Sequence, residues 1–141
     1  MYRTNILLVD DYDYTRELLR SAINSCIDDD TLPIEAHFYQ TSSGYKVMDL
    51  IDLRLINLVY LDIDLPGLSG LKILKLIKKY NSDITVVMVS GESSSENVME
   101  AIKNGASGFI VKPFNAGRIS ESLKNYIKQG PKEITGKKEK E

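Results

Sequence analysis

In the run Asn57-Leu58-Val59-Tyr60-Leu61-Asp62-Ile63-Asp64-Leu65-Pro66-Gly67, a short apolar segment stops abruptly at a carboxylate. A second acid follows two residues later, and Pro-Gly then breaks the chain. The simplest physical reading is a buried strand that delivers Asp62 to the end of a sheet and runs into a loop. Alone, the same run also fits a plain strand end whose acid solvates a turn. The rest of the chain decides between the two.

Other short apolar runs end in the same manner. Upstream, Ile6-Leu7-Leu8-Val9 stops at Asp10-Asp11; downstream, Ile84-Thr85-Val86-Val87-Met88-Val89 stops at Ser90-Gly91, and Phe109-Ile110-Val111 stops at Lys112-Pro113. Each is too short for a helix and reads as a buried strand. Ile34, Ala36 and Phe38 alternate with Glu35, His37 and Tyr39, the pattern of a half-exposed strand at a sheet edge. Between these runs the period changes. Leu18, Leu19, Ala22, Ile23, Cys26 and Ile27 mark an amphipathic helix whose first turn carries Asp11 and Asp13, placed to suit the helix dipole. Val47, Met48 and Ile51 give a weaker helix, and Ser69 caps one carrying Ile73, Leu74, Ile77 and Tyr80. Ser93-Ser94-Ser95-Glu96 has capping-box spacing ahead of Val98, Met99, Ala101 and Ile102, and Gly105 follows as the terminating glycine. Ile119, Leu123, Tyr126 and Ile127 mark a last helix, stopped by Gly130-Pro131.

Five strand–helix units in strict alternation predict an α/β protein with a parallel sheet covered on both faces. Right-handed crossovers then favour a doubly wound (βα)5 three-layer sandwich with strand order 2-1-3-4-5. The chain is too short for an eight-stranded barrel, and no GxGxxG follows its first strand. Its 141 residues predict one domain over 1–129, followed by a polar, disordered tail or linker over 130–141. A hydrophobic fraction of 43% and a charged fraction of 27% are ordinary for a globular protein. The net charge of −2 gives no general pull toward nucleic acid or an anionic membrane. One cysteine excludes an internal disulfide framework and a CxxC metal or redox site, and Cys26 falls at an apolar helix position. No apolar run reaches the roughly 18 residues of a membrane span, and no basic-then-apolar signal follows Met1, so a cytoplasmic location is expected.

In such a sheet, ligands bind beyond the carboxyl ends of the strands, where the strand order reverses. The strand ends place Asp10 and Asp11, Asp62, Ser90 and Lys112 around one crevice. Clustered carboxylates repel, and either protons or a cation must relieve them. With hard oxygen donors and no histidine or cysteine at these strand ends, Mg2+ is the natural cation. Asp62 is then a candidate nucleophile able to form an aspartyl phosphate. Lys112 and the metal would hold the phosphoryl oxygens, with a further hydrogen bond from Ser90.

Four segments carry a family resemblance: Leu8-Val9-Asp10-Asp11, Leu61-Asp62-Ile63-Asp64-Leu65-Pro66-Gly67, Val89-Ser90-Gly91, and Gly105-Ala106-Ser107-Gly108-Phe109-Ile110-Val111-Lys112-Pro113-Phe114. Over residues 3–129 the sequence resembles the receiver domain of two-component response regulators, a family that includes the single-domain chemotaxis receivers. The resemblance implies a flavodoxin-like fold and a phosphoacceptor at Asp62. It implies Mg2+ bound through the side chains of Asp11 and Asp62 and the backbone carbonyl of Asp64, with Asp10 acting mainly through water. It makes Ser90 the switch hydroxyl (often threonine in the family), Phe109 the switch aromatic (often tyrosine), and Lys112 the site lysine before a cis bond to Pro113. Asp64 and Glu92 occupy rate-modulating positions. The implied partners are a sensor histidine kinase or phosphotransfer protein and a downstream protein target, with the chain a monomer or a phosphorylation-dependent dimer. His37, on the edge strand, is not read as a phosphorelay histidine.

Two other readings fit parts of the same pattern. A haloacid-dehalogenase-type phosphatase also forms an aspartyl phosphate, and Asp62-Ile63-Asp64 fits its DxD. Its nucleophile, however, usually lies on the first strand, with the acidic pair downstream. A phosphorylation-independent interaction module would have no need of the acid cluster, Ser90 and Lys112 together. No helix-turn-helix follows, so direct nucleic-acid binding is not expected of this chain.

Overall fold

The computed structural model describes residues 1–91 and 94–138. Its strands are β1 (Tyr2–Val9), β2 (Ile34–Thr41), β3 (Leu58–Asp62), β4 (Thr85–Ser90) and β5 (Gly108–Val111), all parallel, in the order β2-β1-β3-β4-β5. The helices are α1 (Asp13–Asp29), α2 (Val47–Arg54, entered through a 3-10 turn), α3 (Gly70–Tyr80), α4 (Ser95–Lys103) and α5 (Ala116–Lys128). This is the doubly wound, flavodoxin-like arrangement with the strand order expected from the sequence.

Strand periodicity explains why the central strands carry unbroken apolar runs at Ile6–Val9 in β1, Leu58–Leu61 in β3 and Val86–Val89 in β4. Successive side chains point to opposite faces, and both faces are covered. Leu7, Val9, Val59, Leu61, Val86 and Met88 pack on one side with Val47 and Ile51 of α2, Ile73, Leu74 and Ile77 of α3, and Ala101 of α4. Ile6, Leu8, Leu58, Tyr60, Val87 and Val89 pack on the other with Leu19, Ile23, Cys26 and Ile27 of α1 and with Ile119, Leu123 and Tyr126 of α5. Tyr60 is fully buried but not orphaned, because its hydroxyl shares a 2.6 Å hydrogen bond with Ser122 Oγ.

Two helices, α1 and α4, differ in detail from the sequence reading. Helix α1 begins at Asp13, so Asp11 precedes the helix and only Asp13 lies in its first turn. Its buried stripe runs through Arg16, Leu19, Ile23, Cys26 and Ile27, whereas Leu18 is exposed. Helix α4 is capped by Ser94, whose side chain accepts from the Asn97 amide.

The expected disordered tail is corrected over 131–138. Ile134 is 4% exposed and joins the core on the α2–α3–α4 side. Pro131 to Ile134 line one cleft with Tyr2, Asn5 and Asn57, at the amino-terminal end of β1 and β3. Beyond it, Asn81 Nδ2 donates to the Gly136 carbonyl, the Lys138 amide donates to the Tyr80 carbonyl, and the Lys138 ammonium pairs with Asp83 at 3.1 Å. One isoleucine in a polar stretch has no periodicity to announce it, but its burial anchors the segment. Replacing Ile134 with alanine is expected to destabilise the protein by about 2–4 kcal/mol, read as a lower denaturant midpoint. An unchanged midpoint would mean that the segment is not anchored by this side chain.

Candidate functional site

The carboxyl ends of β1, β3, β4 and β5 converge, as parallel register requires. Val9 pairs with Leu61, Asp62 with Val89, and Ser90 with Val111, so the residues that follow these pairs emerge side by side. Carboxylate oxygens of Asp10, Asp11 and Asp62 lie within 4.8 Å of one another. Into this cluster reaches Lys112, whose Nζ is 2.6 Å from Asp10 Oδ2 and 3.2 Å from Asp62 Oδ2. The Lys112–Pro113 peptide bond is cis, and the Lys112 amide donates to the Ser90 carbonyl at 2.8 Å.

The remaining oxygens of the two buried acids are held by the backbone. The Tyr12 amide donates to Asp10 Oδ1 at 2.9 Å and the Asp64 amide donates to Asp62 Oδ1 at 3.1 Å. Asp64 itself is exposed, and its carboxylate lies 3.5 Å from the hydroxyl of Ser90, which is fully buried. Phe109 is half-buried and packs toward the α2–α3–α4 side of the core. Glu92 lies outside the described residues.

Burial governs the electrostatics of Asp62. Removal from water pushes its carboxyl up to about 6, the Asp10 charge pushes the same way, and the Asp64 amide and Lys112 oppose them. For Lys112, burial alone would lower the ammonium, but the hydrogen bond to Asp10 and the charges of Asp62 and Asp10 outweigh it, and its pKa rises. Three carboxylates against one ammonium leave two uncompensated negative charges when all are ionised, the balance that one divalent cation neutralises. The donors are hard carboxylate oxygens converging from the turn after β1 and the last residue of β3, so the residues present suit Mg2+.

Two residues that shape the site escaped the sequence reading. Gly70 opens α3 directly behind β3, and its amide donates to the Ile63 carbonyl at 2.9 Å. A Cβ at this position would lie 2.1 Å from the Asp62 carbonyl oxygen and 2.7 Å from Ile63 Cα. The obstacle is backbone, so it cannot move aside as a side-chain end could. Gly70→Ala is therefore expected to destabilise the protein by about 3 kcal/mol and to displace Asp62; wild-type thermal stability in this variant would contradict the packing argument. The other is Arg16, 8% exposed, whose guanidinium reaches the Asp10 carbonyl.

Comparison with known proteins agrees with this geometry. The family model described as the response regulator receiver domain matches residues 6–124. The chemotaxis protein CheY of Listeria monocytogenes is 32% identical over 123 residues, covering 87% of this chain and 98% of that protein. The nitrogen assimilation regulatory protein NtrX of Azorhizobium caulinodans is 49% identical over 65 residues, 45% of this chain but 14% of that longer protein. The crystal structure of the NtrX receiver domain from Brucella abortus matches with a TM-score of 0.73 at 32% identity, covering 89% of this chain and 99% of that one. With the family model spanning residues 6–124 and the fold reproduced, the chain belongs to the receiver-domain family of two-component response regulators.

Proposed function

We propose that this chain is a phosphorylation-operated switch, in which Asp62 accepts a phosphoryl group from a histidine kinase or phosphotransfer protein. The observation that carries the reading is the Lys112 ammonium bridging Asp10 and Asp62 beside Asp11 at the mouth of the crevice. In the transfer, one Asp62 carboxylate oxygen bonds to phosphorus while the bond from phosphorus to the donor atom breaks, and that electron pair leaves with the donor. Asp62 is fixed for attack by the Asp64 amide and by Lys112, which together hold its two oxygens. Lys112 then follows the negative charge onto the phosphoryl oxygens. Mg2+ held by Asp11 and Asp62, with the Asp64 carbonyl, and with Asp10 acting mainly through water, would supply further neutralisation of the charge on those oxygens.

The phosphoryl anion attracts the Ser90 hydroxyl away from Asp64 and draws in the loop after β4. Phe109 lacks a hydroxyl to hold it, so it responds through packing, moving inward as that loop shifts. The surface of α4, β5 and α5 is the output of the switch, and exposed Met99, Ile102 and Val111 give it apolar character. This is a two-state equilibrium biased by a local charge event. The exposed acid Asp64, together with Glu92, modulates phosphoryl-transfer rates through repulsion of an incoming anionic donor or of a partner that activates water. Apart from gaining and losing its own phosphoryl group, the chain has no catalytic role, and it acts on a downstream protein or on an attached output domain.

The test is uptake of label from a small acyl phosphate. Uptake is expected with Mg2+ and not with a chelator. Folded protein that takes up no label from several such donors in Mg2+ would sink the proposal.

A further inference from the structure

A buried cation behind the acid cluster takes no part in the proposed phosphoryl transfer to Asp62. Arg16 lies on the core-facing stripe of α1, and its guanidinium makes three separate bonds. Nη1 donates to the Asp10 carbonyl at 2.5 Å, Nε donates to Gln40 Oε1 of β2 at 3.0 Å, and Nη2 pairs with Asp13. Gln40 is oriented in turn, since its Nε2 donates to Glu17 Oε1 at 3.0 Å. The Asp10 amide donates to the Thr41 carbonyl at 3.3 Å. Both backbone groups of Asp10 are therefore tied toward β2, one directly and one through Arg16 and Gln40.

We infer that Arg16 is a positioning residue for cation binding, holding the turn that carries Asp10 and Asp11 in register with Asp62. The inference rests on the reading of these three acids as the Mg2+ site. The planar guanidinium has donors spread in a fixed fork and can serve three partners at once, which an ammonium cannot do in one geometry. Residues that orient metal ligands without touching the metal commonly change affinity by an order of magnitude or more.

Charge makes the role decidable. As a nearby positive charge, Arg16 opposes a divalent cation, so removing it tightens binding if charge is all that matters. As a positioning group, its removal weakens binding. The test is calorimetric titration of the full chain with Mg2+ alone, with amide exchange followed in chelator. Arg16→Met is expected to bind Mg2+ on the order of tenfold more weakly, and the Tyr12 amide, which donates to Asp10 Oδ1, is expected to exchange faster without metal. Arg16→Lys keeps the charge and one donor to the Asp10 carbonyl and is expected to recover part of the affinity. Gln40→Leu removes only the β2 anchor and is expected to weaken binding in the same direction, which keeps the inference testable if Arg16→Met does not fold. Unchanged or tighter Mg2+ binding in folded Arg16→Met or in Gln40→Leu would overturn the assignment, even with wild-type protein that binds Mg2+ and takes up label. Wild-type protein with no Mg2+ affinity would remove the site reading, and this inference with it.

Discussion

Asp62→Asn is expected to abolish phosphoryl uptake and, in the same experiment series, to make the metal-free protein more stable at neutral pH. The first effect follows from chemistry, since an amide oxygen does not replace a carboxylate as nucleophile. The second follows from linkage. Burial raises the Asp62 carboxyl from 3.8 in the unfolded chain to about 6 in the fold. Between those values the folded state holds a proton that the unfolded state has lost, so stability falls as pH rises through the window. Above about pH 6 the full penalty is present, about 1–2 kcal/mol once solvent screening at the open crevice is allowed for. Asparagine cannot ionise and escapes this penalty. Denaturant midpoints in chelator should therefore be similar for the two proteins near pH 4 and separate toward pH 7, with the asparagine variant the more stable. A pH-independent difference, or a less stable variant at pH 7, would contradict the electrostatic account of the site.

Lys112→Met is expected to act in the opposite direction on stability. Its ammonium is 23% exposed at the side chain, while the carboxylates of Asp10 and Asp62 are 5% and 4% exposed. Removing it leaves two nearly buried carboxylates facing each other without their shared cation. A loss of roughly 2–3 kcal/mol is expected, below the 3–5 typical of a fully buried pair because the crevice is open to water. Phosphoryl uptake should fall on the order of 100- to 1,000-fold, the usual effect of deleting one preorganised group that stabilises transferring charge. In the Asp62→Asn background the stability loss should shrink, because one of the two carboxylates is already gone. Full additivity of the two substitutions would mean that the lysine does not couple to Asp62.

The sequence carried the fold because each central strand must bury both faces. That requirement puts the continuous apolar runs Ile6–Val9, Leu58–Leu61 and Val86–Val89 into β1, β3 and β4, and it leaves the polar carboxyl ends standing out as Asp10-Asp11, Asp62 and Ser90. Convergence of these ends with Lys112 followed from parallel strand order alone. What stayed hidden lacked a period or broke one. Ile134 is a single apolar residue among polar neighbours, so its anchoring role has no repeat. Arg16 was legible in principle, because it falls three residues before Leu19 and seven before Ile23, on the apolar stripe. A charged residue on that stripe demands internal partners. Gly70 gave only the weak signal of a glycine behind a serine cap, since the close approach to Asp62 depends on how α3 returns over β3.

Chemical mapping of the modified residue tests most directly whether Asp62 is the phosphoacceptor. Protein treated with a small acyl phosphate and Mg2+ is reduced with borohydride, which converts an acyl phosphate to an alcohol, then digested and sequenced by mass spectrometry. Reduction at Asp62 alone, absent when the donor or Mg2+ is omitted, is the predicted result. Reduction at Asp10, Asp11 or Asp64 instead, or none in protein that folds and binds Mg2+, would contradict the assignment.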